Sequence, residues 1–237
     1  MAKEEKSLYK ERFDGREFGD LRPITAKVGV VPNADGSALF AQGDTIAIAA
    51  VYGPKILHPK NQQNPAKGVL RVHYNMLPFS VPDRVKPGIS RRSQEISKVT
   101  EWALAPVVLL DELPGTVIDI HVNILQANAG TRCAGINAAA MALAAAGVPM
   151  TEMISAVAVG KMDHTLVADV IKEEEDFEDG EGATDIPIAF LSNSGRVSLL
   201  QLDGRIQASR FKEVLEIGRE ACKKIHEHQM KALKEME

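Results

Sequence analysis

A strand that runs through a small-residue turn straight into an alanine-rich helix sets the narrowest limit on how this chain folds. From Thr116 to Gln126, Ile118, Ile120, Val122 and Ile124 alternate with Asp119, His121 and Asn123, the period of two that a half-buried strand requires. Alanine dominates 136–146, and Gly147 and Pro149 close the run, so the spacing predicts a helix there. Asn128-Ala129-Gly130-Thr131-Arg132-Cys133-Ala134-Gly135 joins the two. Such a turn leaves backbone N–H groups unpaired at the positive end of the helix dipole. Thr131 adds a hydroxyl and Arg132 a fixed charge, so an inorganic phosphate or a phosphodiester fits at Gly130, Thr131 and Arg132. An ordinary strand-to-helix connection fits as well, and the spacing is not that of a Walker loop.

Hairpins and crossover helices alternate along the rest of the chain. Strands are predicted over 27–31, 37–41, 45–52, 69–76, 153–161, 165–170, 186–191 and 197–201. Asn33-Ala34-Asp35-Gly36 reads as a turn with Gly36 at positive φ, and Gly53-Pro54 as the end of a hairpin. The polar stretch 58–68 reads as an exposed loop. A helix starts at Arg91, with Ile96, Val99, Trp102, Ala103, Pro106 and Val107 as its apolar stripe, which makes Trp102 a core residue. A second long helix covers Phe211–Lys234, with Phe211, Val214, Leu215, Ile217, Ala221 and Ile225 on one side. This mixture implies an α/β fold with a mixed sheet in one domain over 11–237, after a loose charged segment 1–10.

The 237 residues suffice for a sizeable core, and a formal charge of −4 advertises no global attraction to nucleic acid. RNA would need a local basic patch. Two distant cysteines, Cys133 and Cys222, argue against a disulfide framework and suit a reducing cytoplasm. No apolar run reaches the ~20 residues of a membrane span, and the charged start is unlike a signal peptide.

Some side chains stand out for chemistry. Arg91-Arg92 follows a glycine turn and precedes a helix, where two guanidiniums grip successive phosphates or simply form a solvated pair. The acidic run from Glu173 to Glu181 is expected to face solvent. Asp185 opens a strand and is therefore well fixed. Asp179, six residues earlier, can fold back to the same site, so that one carboxylate donates a proton and the other holds a divalent cation. His226 and His228 do not share a helix face, and the other histidines show no ligand spacing. Cys133 has no histidine partner to activate it.

These residues resemble the RNase PH family, and within it the catalytic subunits of archaeal exosomes. The resemblance rests on Phe13-Asp14-Gly15-Arg16, Leu21-Arg22-Pro23, Ala34-Asp35-Gly36-Ser37-Ala38, Ala50-Val51-Tyr52-Gly53-Pro54, Tyr74-Asn75-Met76-Leu77-Pro78-Phe79-Ser80, Arg91-Arg92-Ser93, Glu95-Ile96-Ser97-Lys98, Gly130-Thr131-Arg132 and Gly135-Ile136-Asn137-Ala138-Ala139, in order over nearly the whole chain. It implies a single RNase PH-like domain related to domain 2 of ribosomal protein S5. It implies a 3′→5′ exoribonuclease that uses inorganic phosphate as co-substrate and releases nucleoside diphosphates, with RNA tailing as the reverse reaction. The implied partners are single-stranded RNA 3′ ends, an inactive RNase PH-like paralogue in a hexameric ring of three heterodimers, and RNA-binding cap subunits. By the same resemblance Gly130, Thr131 and Arg132 bind phosphate, Arg91 and Arg92 hold the RNA backbone, Asp185 is the general acid and Asp179 the second carboxylate. Asp179 and Asp185 are the candidate ligands of a magnesium ion. The acidic segment is about four residues longer than the family pattern. Placing the extra length upstream selects Asp179, with Asp176 as its rival. Lys67 stands where an arginine usually narrows the ring channel, keeping the charge without the planar fork. Two alternatives accompany this reading: a non-catalytic RNA-binding scaffold of the same ring, and a self-assembling bacterial-type RNase PH that trims tRNA 3′ ends.

Overall fold

The computed structural model describes residues 7–235. Two sheets enclose a layer of helices. The first contains β1 (Ile24–Val28), β2 (Gly36–Gln42), β3 (Thr45–Ile56), β4 (Val69–Met76) and β5 (Thr116–Gln126) in the order β1-β2-β3-β5-β4. Its pairs are antiparallel except β4 with β5, which is parallel. The second contains β6 (Ile154–Met162), β7 (Thr165–Ala168), β8 (Ala183–Leu191) and β9 (Val197–Leu200) in the antiparallel order β7-β6-β8-β9. The helices are α1 (Arg91–Leu104), α2 (Thr131–Ala145), the short α3 (Lys172–Glu175) and α4 (Phe211–Lys234).

α2 explains how the sheets come together. It packs against β2, β3 and β5 on one side and β6 and β8 on the other. Twelve of its fifteen residues are buried, so it is apolar all round rather than striped. Its small side chains allow the close approach: a Cβ on Gly135 would stand 3.1 Å from Val122 Cγ1. Asn137, fully buried, makes paired bonds of 2.9 and 2.8 Å with the carbonyl and N–H of Ala156, which satisfies its amide and ties α2 to β6. α1 covers β4, and α4 lies along β6, β7, β8 and β1. One hydrophobic cluster runs through both sheets and the helices between them.

Several expectations change in the folded chain. α2 begins at Thr131, five residues before the expected start, because Gly130 is its N-cap. Gly36 is not a positive-φ turn residue; it lies in β2, where a Cβ would meet the Ala146 backbone nitrogen at 2.3 Å. β3 does not end at Gly53-Pro54. Gly53 takes φ 115, its N–H donates to Asp35 Oδ2 at 2.7 Å, and pairing resumes at Lys55 opposite Val117. Trp102 is 62 % exposed, with the Lys98 ammonium 5.6 Å from its ring centre. The buried stripe of α1 is Ile96, Val99, Thr100, Ala103 and Leu104, and residue 102 stands well away from it at 100° per residue. The acidic connection contains α3, and Glu174 within it is fully buried rather than solvated. Of the segment expected to be loose, 1–6 lie outside the described residues. Tyr9 is buried, and its hydroxyl donates to Glu174 Oε1 at 2.7 Å.

Candidate active site

The N-terminus of α2, the start of β8, the end of β4, the first turn of α1 and α3 converge on a cavity of about 590 Å³. Tyr74, Arg92, Thr131, Arg132, Glu175 and Asp185 contribute to its wall.

One half of the cavity is built to receive an anion. Ala129 and Gly130 both adopt left-handed backbone, φ 57 and 62, which turns the chain sharply into α2. The first intrahelical N–H bond is from Ala134 to Gly130 O at 3.0 Å. The N–H groups of Thr131, Arg132 and Cys133 therefore precede the hydrogen-bonded ladder, at the positive end of the dipole. Thr131 Oγ1 accepts from the Tyr74 hydroxyl at 2.9 Å, which leaves its own hydroxyl hydrogen to donate elsewhere. The Arg132 guanidinium is steered by Gln201 Oε1 and lies 3.7 Å from Glu95 Oε1; Gln201 in turn donates to Glu95 at 3.0 Å.

The turn is held from behind by an ion pair that the sequence reading did not single out. Arg22 grips Asp169 through Nη2 to Oδ1 at 2.6 Å and Nε to both oxygens at 3.0 Å. The Arg22 backbone N–H adds a bond of 2.7 Å to Oδ2. Its Nη1 donates to Asn128 O at 2.5 Å, and Thr45 Oγ1 donates to the carbonyls of Asn128 and Ala129 at 2.9 and 2.8 Å. Both ion-pair partners are buried. The Leu21-Arg22-Pro23 motif was visible in the sequence; its partner 147 residues away was not.

The other half carries carboxylates. Asp185 is pinned by reciprocal backbone bonds of 2.9 Å with Asp203. Its Oδ1 is buried and makes no hydrogen bond to the described residues. Burial first, and then the charge of Glu175, push its carboxyl up to about 7, against the opposing pull of Arg132 and Arg92. Glu175 is placed by its neighbour. Glu174 accepts from Arg12 Nε and Nη2 at 2.8 and 2.9 Å, from Tyr9 and from the Ile171 N–H at 3.0 Å, which locks α3 against the second sheet. Lys172, on the same wall, pairs with Asp176 at 2.6 Å and Glu175 at 3.6 Å.

Gly130, Thr131, Arg132, Arg92 and Asp185 are thus brought together as expected. Asp179 is not. The loop 176–182 is drawn toward Asp163, whose Oδ1 accepts the Glu181 N–H at 3.1 Å, while Glu181 pairs with Lys161 at 2.5 Å. Asp179 ends up exposed and outside the cavity wall, and its rival Asp176 is exposed beside Lys172. The carboxylate that shares the cavity wall with Asp185 is Glu175. Arg91 and Lys67 are exposed and do not line the cavity. Cys133 is buried, and burial raises its thiol well above the usual range, which disqualifies it as a nucleophile.

This arrangement makes a direct prediction. Glu175→Gln removes the negative charge that raises Asp185, so the Asp185 titration moves to lower pH by on the order of half to one unit. A pH–rate profile checks it: the high-pH limb, where the acid form of Asp185 is lost, shifts downward. An unmoved limb would show that the two groups do not communicate.

Residues 20–149 match domain 1 and residues 152–221 match domain 2 of the RNase PH models, described as the 3′ exoribonuclease family. The exosome complex component Rrp41 of Thermococcus kodakarensis is 48% identical over 225 residues, covering 95% of this chain and 89% of that one. Its counterpart from Methanopyrus kandleri is 45% identical over 224 residues, covering 94% and 92%. Among solved structures, rice Rrp46 superposes with a TM-score of 0.83 at 26% identity, covering 94% of this chain and 100% of that one. A chain of an Archaeoglobus fulgidus exosome with RNA bound to the active site gives 0.77 at 23% identity, covering 92% of each, a likeness of fold.

Proposed function

The chain belongs to the RNase PH family of 3′ exoribonucleases, and from that premise we propose that it is the catalytic subunit of an archaeal-type exosome, shortening RNA from its 3′ end with inorganic phosphate. One observation carries the reading. A carboxyl group that holds its proton up to about pH 7, Asp185, shares a cavity with an unpaired helix N-terminus and two arginines.

The residues divide the work as follows. Phosphate sits on the N–H groups of the 130–133 turn, with Thr131 and Arg132. Arg92 holds the terminal phosphodiester of the RNA. Both groups are anionic, and these fixed positive dipoles and charges lower the repulsion between them before attack. A phosphate oxygen forms a bond to the terminal phosphorus, and the bond from that phosphorus to the 3′ oxygen of the preceding nucleotide breaks. Asp185 gives its proton to that departing oxygen. The products are a nucleoside diphosphate and an RNA one residue shorter. Run backward, the same steps add tails.

A magnesium ion fits Asp185 and Glu175 better than the pair Asp179 and Asp185. Magnesium takes one or two carboxylates and completes its shell with water and substrate phosphates, and the Asp185 Oδ1 has no other partner among the described residues. No group of three or more potential metal ligands occurs among those residues, so substrate oxygens would complete the shell. The ion is an alternative to proton donation: when bound it would hold Asp185 as its carboxylate and neutralise the charge building up on the reacting oxygens in place of the proton.

Assembly follows from the same reading. The curated relatives are exosome components, and the proposed ring alternates three copies of this chain with an inactive RNase PH-like paralogue, capped by RNA-binding subunits, in the cytoplasm. No helix among the described residues is long and apolar enough to cross a membrane. A scaffold has no need of Asp185 beside Thr131 and Arg132. The bacterial-type alternative differs in self-assembly without a partner. The deciding experiment incubates the chain, alone and with its paralogue, on a 3′-tailed RNA with and without phosphate. Phosphate-dependent release of nucleoside diphosphate is expected; nucleoside monophosphate released without phosphate would overturn the reading. Arg92→Ala is expected to weaken RNA binding by a similar factor for all sequences, since a phosphate contact reads no base; filter binding on homopolymers of different base checks this.

A further inference from the structure

The outer face of the first sheet carries a feature that the proposed chemistry does not use. The parallel register of β4 and β5 places Arg71 opposite Asp119, His73 opposite His121 and Asn75 opposite Asn123. These three rows lie on the face away from Leu70, Val72, Tyr74, Ile118, Ile120 and Val122, which point into the core. The His73 and His121 rings are stacked, 4.9 Å apart and 20° from parallel, and the Tyr52 ring meets His121 edge-on at 5.8 Å. Both histidines are exposed. Beside them Lys55 and Arg71 both reach Asp119, at 2.8 and 2.7 Å, with side chains 53% and 41% exposed. Two cations against one carboxylate leave a surplus positive charge.

The ladder has a direction. β4 starts directly after the exposed loop that carries Lys60 and Lys67, and Asn75, on the same face as Arg71 and His73, lines the cavity wall. The face is thus continuous with the site at one end. From Arg71 to Asn75 is ~13 Å of strand, room for about two to four nucleotides.

We propose that this ladder is the path of the single-stranded RNA just upstream of the reacting 3′ end, with bases stacked on the His73–His121 pair and a backbone phosphate beside Arg71 and Lys55. The proposal rests on the exoribonuclease reading and extends its substrate site beyond the cavity. Aromatic planes beside cations are what sequence-tolerant binding of single strands requires, because every base has a face to stack. Partial desolvation, then His73 and Lys55, hold the His121 imidazole below its usual range against the pull of Asp119, so near neutral pH it presents an uncharged ring.

The test uses the active assembly and two oligoadenylates, a trinucleotide confined to the cavity and a longer strand that reaches the ladder. In His73→Ala/His121→Ala, KM for the long strand is expected to rise about tenfold, with turnover of the trinucleotide unchanged. His73→Tyr/His121→Tyr, which keeps two stacking planes, is expected to restore long-strand binding. Equal loss on both substrates, loss of ring assembly, or no change in the long-strand KM would overturn the proposal; lost assembly would mean that a protein covers this face. If the unaltered assembly releases no nucleoside diphosphate even from the trinucleotide, the exoribonuclease reading fails instead. Filter binding of the long strand then still reports on the ladder.

Discussion

Asp185→Asn is expected to lower phosphate-dependent release of nucleoside diphosphate by ~10²–10⁴-fold while leaving RNA binding nearly intact. An amide cannot supply the proton that the departing 3′ oxygen needs, whereas Arg92, Thr131 and Arg132 remain in place. The same substitution should change the pH dependence of stability. The native carboxyl titrates near 7 against an ordinary value of 3.8. Between those values the native state holds the extra proton, so unfolding becomes easier as pH rises, and above about 7 the full cost of the buried charge applies. The amide has no such dependence. The stability of Asp185→Asn relative to the unaltered protein should therefore rise by about 2–3 kcal/mol between pH 5 and pH 8. Denaturant melts at the two values measure the difference. Undiminished product release would remove Asp185 from the chemistry, and a pH-independent stability difference would mean that burial does not raise its titration.

Arg22→Leu is expected to cost about 3–5 kcal/mol of folding stability, the usual penalty when one partner of a buried ion pair is removed. Asp169 is only 2% exposed, and without Arg22 its carboxylate keeps, among the described residues, one charged contact, Arg16 at 3.3 Å. The effect on function should be selective. Arg22 also holds the Asn128 carbonyl, just before the left-handed pair Ala129 and Gly130, so the N–H groups of the anion turn lose their fixed aim. KM for phosphate should rise, while RNA affinity, which we propose rests on Arg92 and the sheet face, changes little. Arg22→Lys keeps the charge but not the fork that reaches Asp169, Thr45 and Asn128 together, and should recover stability more than phosphate affinity. A variant that is destabilised with an unchanged phosphate KM would show that the turn is rigid without Arg22.

How much of this was legible depended on the range of the interactions concerned. β5 was read to the residue because alternation is local, and α4 likewise because a 24-residue apolar stripe with a period of 3.6 admits no other reading. The anion turn was found because Gly130, Thr131 and Arg132 are adjacent. α2 was located but started late, since Thr131 to Gly135 read as turn residues until Gly130 is seen to cap them. Gly36 was recognised as special for the wrong reason, because a glycine that admits a helix is indistinguishable in sequence from one that makes a turn. Trp102 was misplaced because an apolar residue off the stripe looks like core when its helix lies along an edge strand.

The carboxylates show the boundary most clearly. Asp185 could be chosen from its place at the head of a strand, a local property. Choosing between Asp176 and Asp179 required knowing which way a seven-residue loop folds, and that is settled by contacts with Asp163 and Lys161, far away in the chain. Those contacts took the loop away from the cavity and left Glu175 facing it. Sequence alone therefore located most of the strands, the three long helices and the chemical character of the anion turn, because these follow from neighbouring residues and short periods, while the short α3 and the true ends of β1, β3 and α2 were not legible. Only the tertiary structure decided which charges meet: Arg22 with Asp169, Glu174 with Arg12, and Glu175 with Asp185. A buried charge takes its partner from whatever the packing of distant segments brings within reach, and no pattern along the chain records that distance.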